Sequence, residues 1–472
     1  MFTSIYINDY CNFRKFRLDI PEKQESDLNL NILIGKNGSG KSCLLDALYC
    51  IAKNNLLNKT DKNVDNTKFD YEILLKDKTI IENPKQASSK YLTDEEIKKQ
   101  LWHNIIRLYT GSTDRKFDTD YNSRILSIGP EDTKWALLTS FLAGQWTNPT
   151  PEEAKLWDKV EKIVLGYNPD SEIEDIQQIK PKIIWVDLPE QIEAGSNAIF
   201  ADDFYDWEMP APTVNVQLEN GNYRYFWSID QCTKLKGEHP EEDRIFMFDM
   251  LNHLLELHEE ERLIDTGFLY TQNNEELLPS EYLSDGEFAL LARFSVLMIA
   301  RELDKKTLIL LDEPETHFNE YWKTWFLQLV CETLKDSKHD IFIATHSAML
   351  LTDAKRNELL RLEAAPDGIR QKDINLLTYG ANIVDIGKIL FQMESDIGIR
   401  AQNDIENIIK GKNIKTGGSF QDNEEWKKEL HNLLKQVGPG EWRWRIRSKI
   451  NQLEKTDLCC NFVPNSGDKN GR

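Results

Sequence analysis

Apolar runs along the chain predict an α/β protein built on buried strands. The run at 28–34 leads into a glycine-rich loop and then into the helical pattern of 43–48. Two further runs, 307–311 and 340–345, end in acidic residues and in a histidine. Continuous apolar runs of this length are typical of strands inside a parallel sheet, and such sheets bind ligands at the carboxyl ends of their strands. The pattern therefore predicts a central sheet with a polar cluster at one edge.

Alternating apolar and polar positions predict further strands and helices outside these runs. Residues 214–218 and 223–227 predict a hairpin, because the intervening Asn220-Gly221 supplies the left-handed conformation of a tight turn. Pro151 after Thr150 is a normal helix start, with two glutamates in the first turn. The remaining predictions are a hairpin over 3–20, strands at 69–75, 105–111 (ending in a glycine turn) and 182–188, and helices at 135–143 and 151–165.

Composition limits the class of protein. A chain of 472 residues exceeds what one hydrophobic core usually organises, so two or three lobes are expected. No stretch approaches the ~20 apolar residues of a membrane span, and residues 1–6 have no leader pattern, so we expect a cytoplasmic protein without a membrane partner. The seven cysteines lack metal-ligand spacing, which favours reduced thiols. The formal charge of −21 argues against a wholly basic DNA-coating surface.

The loop between the first apolar run and its helix has the spacing G-x-x-x-x-G-K-S at 35–42. Glycines there let backbone N–H groups converge on a phosphate, and the helix N-terminus adds a positive dipole end. Lys41 is expected to reach the β- and γ-phosphates of ATP, and the Ser42 hydroxyl is expected to ligate Mg²⁺. The candidate nucleotide-binding residues are Gly35, Asn37, Gly38, Ser39, Gly40, Lys41 and Ser42.

Two carboxylates and a histidine follow the later apolar runs. Asp312 is suited to hold Mg²⁺, and Glu313 is suited to polarise the attacking water or accept its proton. The alternative, that both acids only cap the next helix, is disfavoured by the phosphate-binding loop in the same chain. His346 lies at the end of the next predicted strand, where we expect it to sense the γ-phosphate rather than fill the core.

The segment Leu283-Ser284-Asp285-Gly286-Glu287 precedes a predicted helix. Ser284 and Glu287 form a capping-box pattern, so alone the segment indicates only a helix start. Its position before the run at 307–311 and the two acids makes the segment a candidate for the second half of the site.

Three segments allow more than one interpretation. Arg14 is either a solvated turn residue or a cation directed at the nucleotide phosphates. The acidic aromatic stretch 201–208 fits a solvated loop better than a metal site, because it lacks ligand spacing. The interleaved Trp and Arg residues of 442–450 fit either a packing helix with a basic outer side or a nucleic-acid contact.

These motifs together resemble the ABC-type ATPases of the Rad50/SMC/RecF group. The phosphate loop corresponds to Walker A, 283–287 to the signature, 308–313 to Walker B, and His346 to the switch histidine. The segments 312–322 and 344–347 look most like the AAA branch that contains OLD proteins and ATPases of anti-phage systems such as Septu and retrons. Asn12-Phe13-Arg14 is similar to a motif of that branch, which favours the nucleotide-facing interpretation of Arg14.

The resemblance implies that two or a higher even number of copies associate, with ATP and Mg²⁺ between one copy's Lys41 and the other's Ser284 and Gly286. It implies an ABC-type P-loop ATPase head with an N-terminal antiparallel β-layer, a mixed α/β insertion in place of a long coiled coil, and a helical C-terminal region. Two departures stand out: Asp285 where glycine is commoner, and no assignable glutamine-loop residue. The expected divisions are 1–52 and 266–395 for the two lobes of the head, 53–265 for the insertion, 396–458 for the helical region and 459–472 for a disordered tail.

A nuclease domain of the OLD type is not expected in this chain. About 120 residues follow His346, and they contain no Asp-x-Asp pair after an apolar run. By analogy with the resembling systems, the first hypothesis is a separately encoded nuclease effector, of HNH or Toprim type, controlled by this ATPase. The second is a DNA-repair or chromosome-maintenance ATPase that binds DNA itself. A scaffold without turnover conflicts with the intact Glu313.

Overall fold

The computed structural model divides the chain into two compact units, unit 1 over Met1–Phe391 and unit 2 over Gln392–Arg472. None of the helices that it describes has the length and apolar character needed to cross a membrane. The predicted loop at 201–208 lies outside the described residues, as does the chain after Cys460. The structure describes residues 2–24, 28–56, 69–76, 80–82, 101–109, 124–146, 149–171, 179–191, 212–232, 246–272, 276–393, 395–414 and 416–460.

A seven-stranded sheet forms the centre of unit 1. In spatial order its strands are β16 (Gly368–Lys372), β15 (Leu359–Ala365), β3 (Asn29–Ile34), β14 (Asp340–Ala344), β13 (Thr307–Asp312), β6 (Asn104–Leu108) and β7 (Ile125–Ile128). All neighbours are parallel except the edge strand β16. Every residue of β3, β13 and β14 is buried, as expected for strands covered on both faces. The predicted parallel sheet is confirmed.

An antiparallel sheet covers one face of the first helix. Its order is β2-β1-β4-β5, with β1 (Phe2–Tyr10), β2 (Phe13–Asp19), β4 (Tyr71–Leu75) and β5 (Ile80–Glu82). Helix α1 (Lys41–Leu56) packs between this sheet and the central sheet, where Leu44 and Leu48 share a core with Ile5, Leu308 and Phe342. This arrangement confirms the predicted N-terminal antiparallel β-layer and fixes the start of α1 beside the central strands.

A third sheet and most of the helices build the other side of unit 1. The five-stranded antiparallel sheet has the order β12 (Glu276–Pro279), β11 (Asp265–Gln272), β8 (Lys180–Leu188), β10 (Tyr223–Ser228) and β9 (Val214–Gln217). Gly221 has φ +91° in the predicted β9–β10 turn, which is confirmed. The helices are α2 (Thr133–Leu142), α3 (Pro151–Val164), α4 (Ile229–Cys232), α5 (Phe246–Glu259), α6 (Asp285–Arg301), α7 (Glu320–Thr333), α8 (Ala348–Leu351) and α9 (Ile383–Leu390).

Unit 2 consists of helices around a small core of its own. These are α10 (Ile399–Ile409), α11 (Asn423–Gln436) and α12 (Glu441–Cys460). The core contains Ile405, Ile408, Leu430, Trp442, Ile446, Ile450 and Leu453.

Two basic residues of α12, Arg443 and Arg445, contact other residues of unit 2. Arg443 donates to the Leu434 and Val437 carbonyls, each at 2.7 Å, and Arg445 lies 4.6 Å from the Trp442 ring. Trp444, by contrast, is 67% exposed. The contacts therefore support the packing interpretation of this helix.

A buried ion pair joins α1 to the central sheet. The guanidinium of Arg107 on β6 donates to the Asp46 carboxylate, and it lies 5.0 Å from the Tyr49 ring and 5.3 Å from the Tyr109 ring. Both side chains are nearly inaccessible, at 4% and 11% exposure. Removing one partner of such a pair leaves an uncompensated buried charge.

We expect Arg107→Ala to lower the free energy of unfolding by about 3–5 kcal/mol, because Asp46 loses its cation while staying buried. Urea denaturation of the full chain measures the effect. Arg17→Ala is the control, since Arg17 pairs with Asp19 on the surface and its loss is expected to cost less than about 1 kcal/mol. Equal effects of the two substitutions would contradict the structural role of the buried pair.

Candidate nucleotide-binding site

The phosphate loop (residues 35–42) joins β3 directly to α1, as predicted. Gly38 and Gly40 have φ +77° and +90°, a region that side-chain-bearing residues rarely adopt. A Cβ at Gly38 would project into open space, whereas one at Gly40 would meet Ile369 and Phe13. The glycines thus shape a loop that is open on one side and packed against β2 and β16 on the other.

Lys41, the first residue of α1, is buried at the centre of the loop. Its ammonium donates to the Gly35 carbonyl at 3.0 Å and to Nε2 of His346 at 2.6 Å. Burial lowers the pKa of Lys41 to about 8, and the carboxylates of Glu313, Asp312 and Glu315 oppose that shift. The lysine is therefore held where a strongly anionic ligand would restore its full charge.

Asp312, Glu313 and His346 meet Lys41 at the carboxyl ends of two adjacent strands. Asp312 ends β13, and the Glu313 N–H donates to the Ala344 carbonyl of β14 at 2.9 Å. The distance from Glu313 Oε1 to His346 Nε2 is 3.3 Å. Burial and the Lys41 charge lower the pKa of His346, while Asp312 raises it. The lowered pKa favours a neutral ring, and in the tautomer protonated at Nδ1 the His346 Nε2 accepts from Lys41.

Ser284 and Gly286 lie at the start of α6. The Ser284 hydroxyl accepts from the Glu287 N–H, and the Glu287 carboxylate accepts from the Ser284 N–H, which confirms the predicted capping box. A Cβ at Gly286 would lie 2.6 Å from Trp322 and 2.7 Å from the His317 carbonyl. In the described part of the chain, no hydrogen bond joins either residue to the phosphate loop.

Among the described residues, Arg14 contacts its own hairpin. Its guanidinium forms an ion pair with Asp9 and donates to the Cys11 and Phe13 carbonyls, and half of the side chain is exposed. Asp9 lies directly opposite Arg14 in the β1–β2 register. The nucleotide-facing role of Arg14 stays a prediction.

Residues 30–353 match the family described as "AAA domain, putative AbiEii toxin, Type IV TA system". The chain belongs to this family. The matched range contains Lys41, Ser284, Asp312, Glu313 and His346, so all of these candidate residues are part of one AAA domain of the P-loop ATPase type. No curated protein matches the chain.

Among solved structures, the chain is similar to SMC head domains at low identity. For the SMC head domain from Thermotoga maritima the identity is 11%, over 79% of this chain and 99% of that chain, with a TM-score of 0.35. For an SmcHead bound to the C-winged helix domain of ScpA it is 13%, over 79% and 98%, with a TM-score of 0.35. For an Smc head domain with an extended coiled coil bound to the C-terminal domain of ScpA, derived from Pyrococcus furiosus, it is 13%, over 84% and 99%, with a TM-score of 0.31.

The AAA domain contains contacts around Glu313 that the sequence analysis missed. The segment 313–317, here called the Walker B loop, has left-handed residues at both ends, Glu313 with φ +48° and His317 with φ +74°. The buried guanidinium of Arg293 on α6 donates to the Pro314 carbonyl and, at 2.5 Å, to the Thr316 carbonyl. In the sequence, the indication of this contact is an arginine, Arg293, in the otherwise apolar middle of a helix.

The residues of the AAA domain fit a magnesium nucleotide. The Ser39 hydroxyl is buried and has no hydrogen-bond partner among the described residues, so it is left to donate to a phosphate oxygen. The open space above Gly38 and the Lys41 ammonium suit the same anion. The Ser42 hydroxyl and the Asp312 carboxylate would supply hard oxygen ligands of the kind that Mg²⁺ prefers.

Proposed function

We propose that this AAA domain binds ATP with Mg²⁺ in the cytoplasm and hydrolyses it. The observation that carries the proposal is the close approach of Lys41, His346 and Glu313 beside the phosphate loop. Lys41 Nζ lies 2.6 Å from His346 Nε2, and His346 Nε2 lies 3.3 Å from Glu313 Oε1. A cation for phosphate, a carboxylate for water and a neutral imidazole are the groups that phosphoryl transfer to water needs.

Each side chain has a separate task in the proposed reaction. The backbone amides of the phosphate loop and the Lys41 ammonium bind the β- and γ-phosphates. Ser42 and Asp312 would hold Mg²⁺, which supplies charge neutralisation at the phosphates. Glu313 orients the attacking water and accepts its proton, and His346 contacts the γ-phosphate side of the site.

We propose further that two copies, or a higher even number, complete the sites in trans. Ser284 is exposed at the N-terminus of a 17-residue helix, where the dipole and the hydroxyl favour an anion. Among the described residues, the hydrogen bonds of its hydroxyl stay within the capping box. Pairing Ser284 and Gly286 with the neighbour's nucleotide would make ATP part of the interface.

A mixing experiment tests this shared site. Lys41→Ala and Ser284→Arg are each expected to be inactive alone, since one lacks the cation and the other blocks the facing motif. In an equal mixture, half of the pairs are mixed and each has one intact composite site, so roughly a quarter of the wild-type ATPase rate is expected. Mixing two preparations of Lys41→Ala is the control. No recovery in the mixture, with both variants folded and able to exchange subunits, would contradict the shared site.

The activity proposed for this ATPase is control of a separately encoded effector, a nuclease of HNH or Toprim type, in anti-phage defence. The family description supports a defence or toxin setting, because it names a toxin of a type IV toxin–antitoxin system. ATP binding would stabilise the paired copies and hydrolysis would release them, which gives the effector two states to follow.

Co-purification tests the effector. The tagged chain is expressed with its neighbouring genes, and a stoichiometric second polypeptide with nuclease activity is expected. The purified chain alone is then tested with DNA at increasing salt. Strong, salt-dependent DNA binding without a second polypeptide would favour the alternative of a RecF-like or Rad50-like ATPase that binds DNA itself.

A further inference from the structure

Glu315 is a buried carboxyl inside the Walker B loop that the proposed reaction does not use. Its side chain is 6% exposed, and it lies two residues after Glu313. Oε1 accepts a hydrogen bond from the Thr345 hydroxyl, whereas Oε2 has no hydrogen-bond partner among the described residues. Burying a carboxyl group with only one hydrogen-bonded oxygen costs folding free energy, which indicates that Glu315 has a role at this position.

Thr345 connects Glu315 to His346, which is the next residue after Thr345 in the chain. The Thr345 hydroxyl donates to Glu315 and also accepts from the Ser347 N–H at 2.9 Å. The Thr345 N–H donates to the Leu33 carbonyl of β3 at 3.1 Å. The backbone on both sides of His346 is therefore fixed by one hydroxyl and by the strand that leads into the phosphate loop.

The other side of the Walker B loop is also held. Arg293 binds the Pro314 and Thr316 carbonyls, so the carbonyl groups on either side of Glu315 are fixed from α6. Glu315 consequently has little freedom, and its carboxyl meets Thr345 from a rigid loop. A contact from a rigid loop to Thr345 can fix the position of the next residue, His346.

We propose that Glu315 is a positioning residue that acts through the Thr345 hydroxyl to hold His346 against Lys41 and Glu313. The proposal rests on the proposed ATPase function for its kinetic consequences, but the placement of the imidazole is a separate property. What Glu315 supplies to Thr345 is an accepting oxygen, which a carboxylate and a protonated carboxyl group both provide. Burial raises the pKa of Glu315, with the nearby Glu313 carboxylate adding to the rise, which agrees with a role that does not require ionisation.

Glutamine and serine provide the matched variants. Glu315→Gln keeps the accepting oxygen and Thr345→Ser keeps the hydroxyl, so both are expected to retain the rate of ATP hydrolysis within about twofold. Glu315→Ala and Thr345→Val remove the contact and are expected to lower kcat at least about tenfold, with little change in KM for ATP. Loss of activity in Glu315→Gln equal to that in Glu315→Ala would overturn the proposal.

A double-mutant cycle separates positioning from a general structural effect. If Glu315 acts through His346, adding Glu315→Ala to His346→Ala lowers kcat no further. A multiplicative loss would mean that Glu315 stabilises the loop independently and would overturn the proposal. Thermal unfolding and ATP binding of each variant establish that the protein is folded.

The NMR resonance of the His346 imidazole provides a measurement that does not depend on ATP hydrolysis. In histidine-labelled protein, the His346 resonance is identified by its loss in His346→Ala. It is expected to shift in Glu315→Ala and to keep its wild-type position in Glu315→Gln. The same resonance position in both variants would overturn the positioning role. A wild type that hydrolyses no ATP, while this resonance shifts as expected, would instead contradict the proposed function alone.

Discussion

Glu313→Gln is expected to lower ATP turnover at least about 100-fold while leaving nucleotide binding intact. The amide has nearly the shape of the carboxylate, but it cannot accept a proton from water at neutral pH. Lys41 and the phosphate loop are unchanged, so ATP still binds and stays bound. Steady-state phosphate release measures the rate, and the mass of the protein with and without ATP measures pairing. The variant is expected to remain paired with ATP where the wild type separates.

Glu320→Gln is the matched control for this prediction. Glu320 is the first residue of α7, is exposed, and pairs only with Lys323 among the described ion pairs that include it. Its substitution is expected to leave turnover and pairing unchanged. Normal hydrolysis in Glu313→Gln would remove Glu313 from the mechanism, and slow hydrolysis without ATP-dependent pairing would contradict the proposed interface.

Lys41→Ala is expected to weaken ATP binding at least about 100-fold, because charge-assisted hydrogen bonds to the phosphates are lost from a buried position. The substitution also removes the donor that meets His346 Nε2. Isothermal titration with ATP and Mg²⁺ measures the affinity, and turnover is expected to fall with it.

Lys36→Ala provides a control in the same loop. Lys36 is exposed. The Lys41 ammonium donates to the Lys36 backbone carbonyl, so that contact does not use the Lys36 ammonium. Affinity is therefore expected to change by only a few-fold. If Lys41→Ala bound ATP as the wild type does, the assignment of the phosphate loop would be wrong.

Local sequence patterns predicted the framework of the site because their physical causes are local. The strand, loop and helix around 35–42 are adjacent in the chain, and the glycines there are needed for backbone geometry. The capping box at Ser284 and the turn at Gly221 likewise depend on a few neighbouring residues. Apolar runs also predicted that Asp312 and His346 would emerge near one edge of the sheet.

Contacts between distant segments were not accessible in the same way. The Thr345 hydroxyl meets Glu315 across 30 positions of the chain, and Arg293 reaches the same loop from 21 positions away. No periodicity specifies such pairs. Arg14 is different, because Asp9 lies opposite it in the observed β1–β2 register, and a register predicted for the hairpin over 3–20 would have given a reason to expect their contact.

The order of strands in the central sheet affects how the chain folds during synthesis. β3 pairs with β14 and β15, which begin about 300 residues later. Until those segments leave the ribosome, β3 has two unpaired edges, and four of its six residues are apolar. Such edges pair readily with other nascent chains, and closing long loops is slow. We therefore expect the N-terminal segment to need a chaperone until the chain has been synthesised past residue 365.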